Sequence, residues 1–181
     1  TANRTTVNSG GSMNIYADGV ANETTINSNA SLSVASNVTV NNTTVNFLGS
    51  MNIASGGTAT EIIENGGWVE VAEGANVTFA ANTFSGLTVN YNNQKMTVHT
   101  NTVAKNIAVN NSGNLTVYGG TVDGALLNSG GTLNVSNGAA NDTIISGNNA
   151  IMNMYDGTAD NTIVNYGGQF KLQSGTANSN T

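Results

Sequence analysis

Residues 127–145 read LNSGGTLNVSNGAANDTII. Apolar and polar residues alternate through Leu133-Asn134-Val135, with two glycines before that triplet and one after it. A period of two puts Leu133 and Val135 on one face of a short strand and Asn134 on the other. The flanking glycines supply tight turns. So short a unit cannot bury its apolar face alone, and the rest of the chain provides copies for it to stack on. The triplet recurs as Met13-Asn14-Ile15, Leu32-Ser33-Val34, Met51-Asn52-Ile53, Val69-Glu70-Val71, Met96-Thr97-Val98, Leu115-Thr116-Val117, Met152-Asn153-Met154 and Phe170-Lys171-Leu172. First residues are separated by 19, 19, 18, 27, 19, 18, 19 and 18 positions. A fixed period of this size is the mark of a stacked, solenoid-like architecture.

A second landmark keeps the same period. An apolar residue followed by a polar one precedes each first turn: Val7-Asn8, Ile26-Asn27, Val45-Asn46, Ile63-Glu64, Val89-Asn90, Val109-Asn110, Leu127-Asn128, Ile145-Ser146 and Val164-Asn165. Each unit therefore reads strand, glycine turn, strand, glycine turn. The pattern predicts an all-β parallel β-helix of roughly nine to ten coils, a single repeat domain over 1–181, with rungs about 4.8 Å apart. The triplets form the core columns. Repeated Asn suits an amide ladder, each side chain bonding its copy above and below, and Thr24, Thr43, Thr143 and Thr162 form a row that could line a face. A helix is excluded by the spacing of two, and a propeller needs a longer repeat. An up-and-down barrel is the alternative arrangement of so many short strands.

The spacing of 27 marks an irregular, enlarged coil near 75–93, which holds Phe79, Phe84 and Tyr91. Two readings fit it: a bulged coil, or a loop carrying recognition, since insertions in repeat proteins map to a binding face.

Charged residues make up only 8% of the chain, and 10 acidic against 4 basic residues leave a net charge of −6. That balance opposes binding to nucleic acid and docking on anionic lipid. No apolar stretch approaches the length that spans a bilayer, so no direct membrane insertion of this segment is expected. The absence of Cys excludes disulfides and thiolate metal sites. The lack of a leader at Thr1 suggests a mature piece or excised fragment.

Units such as VNSGGSMNIYADGVANETTI (7–26), LNSGGTLNVSNGAANDTII (127–145) and VNYGGQFKLQSGTAN (164–178) resemble the repeat of AIDA-type autotransporter adhesins. Thr58-Ala59, Thr158-Ala159 and Thr176-Ala177, each after a Gly, match its Gly-Thr-Ala element. Asn42-Thr43-Thr44-Val45 and Asn161-Thr162-Ile163-Val164 match its Asn-Thr element. The resemblance covers nearly the whole chain and is weakest over 75–93. It implies a right-handed parallel β-helix on a bacterial cell surface, an extracellular passenger domain that mediates adhesion or self-association, as in cell aggregation and biofilm.

Chemistry is sparse in this sequence. His99 is the only histidine, so no multi-His metal site or Ser-His-Asp triad follows from spacing, and it is expected to face solvent. Glu61, Glu64, Glu70 and Glu73 are close in sequence. Paired carboxylates of this kind could act on a glycan or hold Ca²⁺, but solvated surface charge is the plainer reading. No catalytic residue, no metal site and no cofactor is expected, and the protein is read as not an enzyme. The exposed aromatic positions Tyr16, Tyr118, Tyr155, Trp68 and Tyr91 either stack on partners or fold over the core. The acidic run followed by Lys95, His99 and Lys105 suggests antiparallel pairing between copies. The candidate association surface is thus Glu61, Glu64, Glu70, Glu73, Lys95, His99, Lys105, Trp68 and Tyr91. Expected partners are the chain itself, or a host or bacterial surface protein or glycan. Two other functions remain open: a self-assembling extracellular filament or matrix subunit stacking through its ends, and a glycan-binding or glycan-cleaving β-helix.

Overall fold

Short β-prone runs separated by turn residues leave each segment too short for anything but a rung in a stack, and this is how they are used. The computed structural model describes residues 1–91 and 94–181. Every regular element among the described residues is a strand, and the ladders between successive coils run parallel. The protein is a parallel β-solenoid. It divides into two compact units, Thr1–Asn82 and Thr83–Thr181, and the division falls inside the enlarged spacing. Asn92 and Asn93, at the end of that coil, lie outside the described residues.

In the first unit, the triplets form a four-stranded sheet of Ser12–Ile15, Ser31–Val34, Ser50–Ile53 and Trp68–Val71. This is the first side of the coil. Met13 pairs with Leu32, Leu32 with Met51 and Met51 with Val69, so the core column is in strict register. The strands Val20–Ile26, Thr39–Asn46 and Thr58–Asn65 each carry the chain round a corner, making a second and a third side. The corner is one left-handed residue per coil: Glu23 (φ 55°), Asn42 (φ 54°) and Glu61 (φ 56°). A single residue of this kind turns the chain without a loop.

The second unit repeats the plan. Its first side is a five-stranded sheet of Lys95–His99, Asn114–Tyr118, Thr132–Ser136, Ala150–Met154 and Gly168–Leu172. Met96, Leu115, Leu133, Met152 and Phe170 stack in register along it. Its second side includes Thr102–Lys105, Thr121–Asp123, Gly138–Asn141, Gly157–Asp160 and Thr176–Asn178. Its third side is made of two-residue strands: Thr88–Val89, Ala108–Val109, Leu126–Leu127, Ile144–Ile145 and Ile163–Val164. Gly86, Asn106, Gly124, Asp142 and Asn161 hold the left-handed corner here.

The enlarged coil is largely strand. Asn76–Phe79 pairs with Thr58–Asn65 through a register shift between Val77 and Phe79. Asn82–Ser85 and Thr88–Val89 follow. Phe84 is buried and Phe79 half-buried, while Tyr91 is exposed.

The threonine row overturns one expectation. Thr24, Thr43, Thr143 and Thr162 line no outer face; each is buried, and their hydroxyls find no hydrogen-bond partner among the described residues. They follow the corner residue and point into the core. Thr43 pairs in register with Thr24 on one side and Ile62 on the other. A buried hydroxyl without a partner opposes folding, and valine keeps the β-branched shape that the neighbouring Ile62 shows the column accepts. Thr43→Val is therefore expected to stabilise the protein by about 1 kcal/mol, seen as a higher urea midpoint at unchanged slope.

Candidate functional site

The expected association residues are spread over several elements of each unit. Glu61 sits on a corner, where its amide donates to the Thr78 hydroxyl at 3.1 Å. Glu70 points out from the first side and accepts from Asn52 Nδ2 at 3.4 Å, and Glu73 is exposed in the turn beyond. Glu64 does not reach the surface: it is fully buried at the end of a column that otherwise holds Val7, Ile26 and Val45. Trp68 is half-buried. In the second unit, Lys95 and His99 stand at opposite ends of one strand. Lys105 lies on the second side, paired with Asp123 at 3.7 Å. His99 does not face solvent either. It is 8% exposed, with its ring stacked on Tyr118 at 5.2 Å between centroids and 29° between planes. Among the described residues, no three His, Asp or Glu side chains gather as a metal site, and no helix is long and apolar enough to cross a membrane.

The outer surface carries ladders of amides. On the second side of the first unit, Asn22 donates to Asn3 at 2.8 Å and Asn41 to Asn22 at 2.9 Å, while the Thr60 hydroxyl donates to Asn41 at 2.6 Å. Past the third side, Asn27, Asn46 and Asn65 each donate one rung back, at 3.1, 3.0 and 3.0 Å. In-register stacking brings identical side chains within hydrogen-bond reach, and each amide is donor to one neighbour and acceptor from the other. A groove of about 590 Å³ runs beside this face, lined by Asn3, Arg4, Asn22, Glu23, Asn41 and Asn42.

Two features of the second unit stand out from these amide ladders. The first is an apolar ladder on the third side: Leu126, Ile144 and Ile163 occupy successive rungs in register and point outward, 38%, 37% and 43% exposed. The fold does not require it. The corresponding outward column of the first unit begins Thr6, Thr25, Thr44. Sequence reasoning missed it, although the signal was present: the doublets Leu126-Leu127, Ile144-Ile145 and Ile163-Val164 are apolar at both positions, where Thr6-Val7, Thr25-Ile26 and Thr44-Val45 alternate.

The second feature is a groove on the first side. Tyr118 pairs in register with Ser136. Tyr155 follows Met154, the partner of Val135, and so falls opposite Ser136 one rung further on. Tyr118 and Tyr155, each 44% exposed, flank a depression of about 290 Å³ completed by Thr116, Asn134 and Ser136. Of the two readings for the aromatics, folding over the core does not describe Tyr118, Tyr155 or, in the first unit, Tyr16, which are exposed, while Trp68 is half-buried.

No family model and no curated relative matches the chain. Among solved structures, the chain is similar to the TibC-catalysed, hyper-glycosylated TibA fragment 55–350. The identity is 23%, with 99% of this chain and 81% of that chain covered and a TM-score of 0.41.

Proposed function

We propose that this chain is part of an extracellular adhesive scaffold at a bacterial cell surface, working by multivalent contact, and that it associates with copies of itself. The observation that carries the reading is the outward, in-register aliphatic ladder Leu126, Ile144, Ile163. Exposed aliphatic residues in contiguous rows favour removal from water by a partner. The ladder is evenly spaced and centred on Ile144. A two-fold axis through that residue would set Leu126 of one copy against Ile163 of the other and satisfy both copies with one patch. The flanking amide ladders supply many weak hydrogen bonds that repetition and avidity multiply.

The test is sedimentation velocity of the chain over a range of concentrations. Covering the exposed part of each aliphatic side chain is worth about 1 kcal/mol. Both copies contribute three such side chains, so the triple variant Leu126→Ser/Ile144→Ser/Ile163→Ser is expected to weaken self-association by about a thousandfold or more. The matching change on the first unit, Thr6→Ser/Thr25→Ser/Thr44→Ser, is expected to leave it unaltered. Unchanged association in the first variant would refute the reading.

A further inference from the structure

We propose that the groove between Tyr118 and Tyr155 is a binding subsite for an uncharged pyranose sugar. Two rungs separate the positions of the two tyrosines by about 9.6 Å. A van der Waals contact on each side takes up about 3.5–4 Å, which leaves room for one saturated six-membered ring. Aromatic faces pack against the apolar C–H faces of such a ring, and the phenol hydroxyls stay at the wet edge. The volume of about 290 Å³ sits at the small end of ligand sites, the size of one sugar residue.

The polar lining decides the chemistry of the ligand. Thr116, Asn134 and Ser136 bear no charge. The groove therefore offers neither a cation for a phosphate or carboxylate nor an anion for an amine. Asn134 accepts from Asn153 at 2.9 Å and donates to Asn114 at 3.4 Å, which fixes its amide plane and leaves one N–H outward. Thr116 donates to Asn114 Oδ1 at 2.9 Å, so its oxygen is left as an acceptor. The Ser136 hydroxyl has no partner among the described residues and can donate and accept. Donors and acceptors in a row beneath two aromatic walls match a ring whose hydroxyls project from its edge. Tyr118 is preorganised as well, because His99 stacks behind it; a wall already fixed loses less side-chain entropy on binding. The groove is on the first side and the apolar ladder on the third. The inference goes beyond self-association and does not depend on it.

The experiment is an NMR titration of the full chain with methyl glucoside, methyl galactoside and methyl N-acetylglucosaminide. Sialic acid and an uncharged tetrapeptide serve as comparison ligands. At least one neutral pyranoside is expected to saturate with Kd on the order of millimolar, with shifts confined to residues 116–118, 134–136 and 155. Tyr118→Ala and Tyr155→Ala are each expected to weaken binding by about tenfold or more. Both keep the wild-type circular dichroism, since the rings are partly exposed. Tyr16→Ala leaves binding intact, and none of the three alters self-association. Three results would overturn the proposal: no saturable shift at these residues up to about 50 mM of any neutral pyranoside, undiminished binding in both groove variants, or preferential binding of sialic acid or the peptide.

Discussion

Gly157→Ala is expected to destabilise the second unit by about 3 kcal/mol or more, although it adds one methyl group. Two separate effects combine. Gly157 has φ of +106°, a backbone region that residues with a Cβ rarely enter. It also stacks in register on Gly138. A Cβ there would meet the Gly138 carbonyl oxygen, with the Gly138 nitrogen 2.7 Å away. These are backbone atoms held in the ladder and cannot rotate aside as the tip of a side chain can. Relief would require separating two rungs, and with them the hydrogen bonds of the second side. Gly86 is the milder case on both counts: its φ of +71° lies at the left-handed well that several other side chains of this protein occupy, and a Cβ there has nothing within 4 Å. Gly86→Ala is expected to cost about 1 kcal/mol. Urea unfolding of the two variants checks the comparison, and similar midpoints would mean that neither the wider φ nor the close approach of rungs at Gly157 contributes.

The first side was legible in the sequence because period-two alternation survives along it without interruption. Met13, Leu32, Met51 and Val69 are in register as the spacing predicts, and so are Met96, Leu115, Leu133, Met152 and Phe170. The corner between the second and third sides was not legible. It is made by Glu23, Asn42, Glu61, Asn106, Asp142 and Asn161 and by glycine only at Gly86 and Gly124, so no consistent breaker announces it. A left-handed residue also resets the phase of the alternation. Counting outward from buried Ala21 puts Thr24 on the surface, whereas the corner at Glu23 sends it inward. The same shift accounts for Thr43.

The surface residues were read less well than the core, for a related reason. Alternation places His99 outward with Lys95, but it does not report what the next rung lays over it. Stacked strands about 4.8 Å apart bring identical positions together, and the Tyr118 ring covers His99. Tyr118, Ser136 and Tyr155 each follow a core triplet and so share a column, but the triplets do not report the depression that the two rings leave over Ser136. The charges proposed as a surface are spread over different sides of their coils. The apolar ladder is masked in the sequence because Leu127, Ile145 and Val164, the inward members of each doublet, carry the core period.

Leu133→Ala is expected to cost about 3 kcal/mol, within the range for truncating a buried aliphatic side chain. Leu133 is fully buried and held in register between Leu115 and Met152. Its loss opens a cavity bounded above and below by hydrogen-bonded strands, which cannot close in without breaking the ladder, so little of the penalty is recovered by collapse. In a stack, each coil is stabilised through its immediate neighbours. Amide exchange in the variant is therefore expected to accelerate most in Asn114–Tyr118, Thr132–Ser136 and Ala150–Met154. Phe170 supplies the contrast: it belongs to the same column, but is only half-buried and pairs with Met152 alone on this side. Although phenylalanine is larger, Phe170→Ala is expected to cost about 1–2 kcal/mol, roughly half the value for a buried ring. The larger residue gives the smaller loss because burial between two rungs, rather than side-chain size, sets the penalty. Equal or reversed losses in urea unfolding would contradict that.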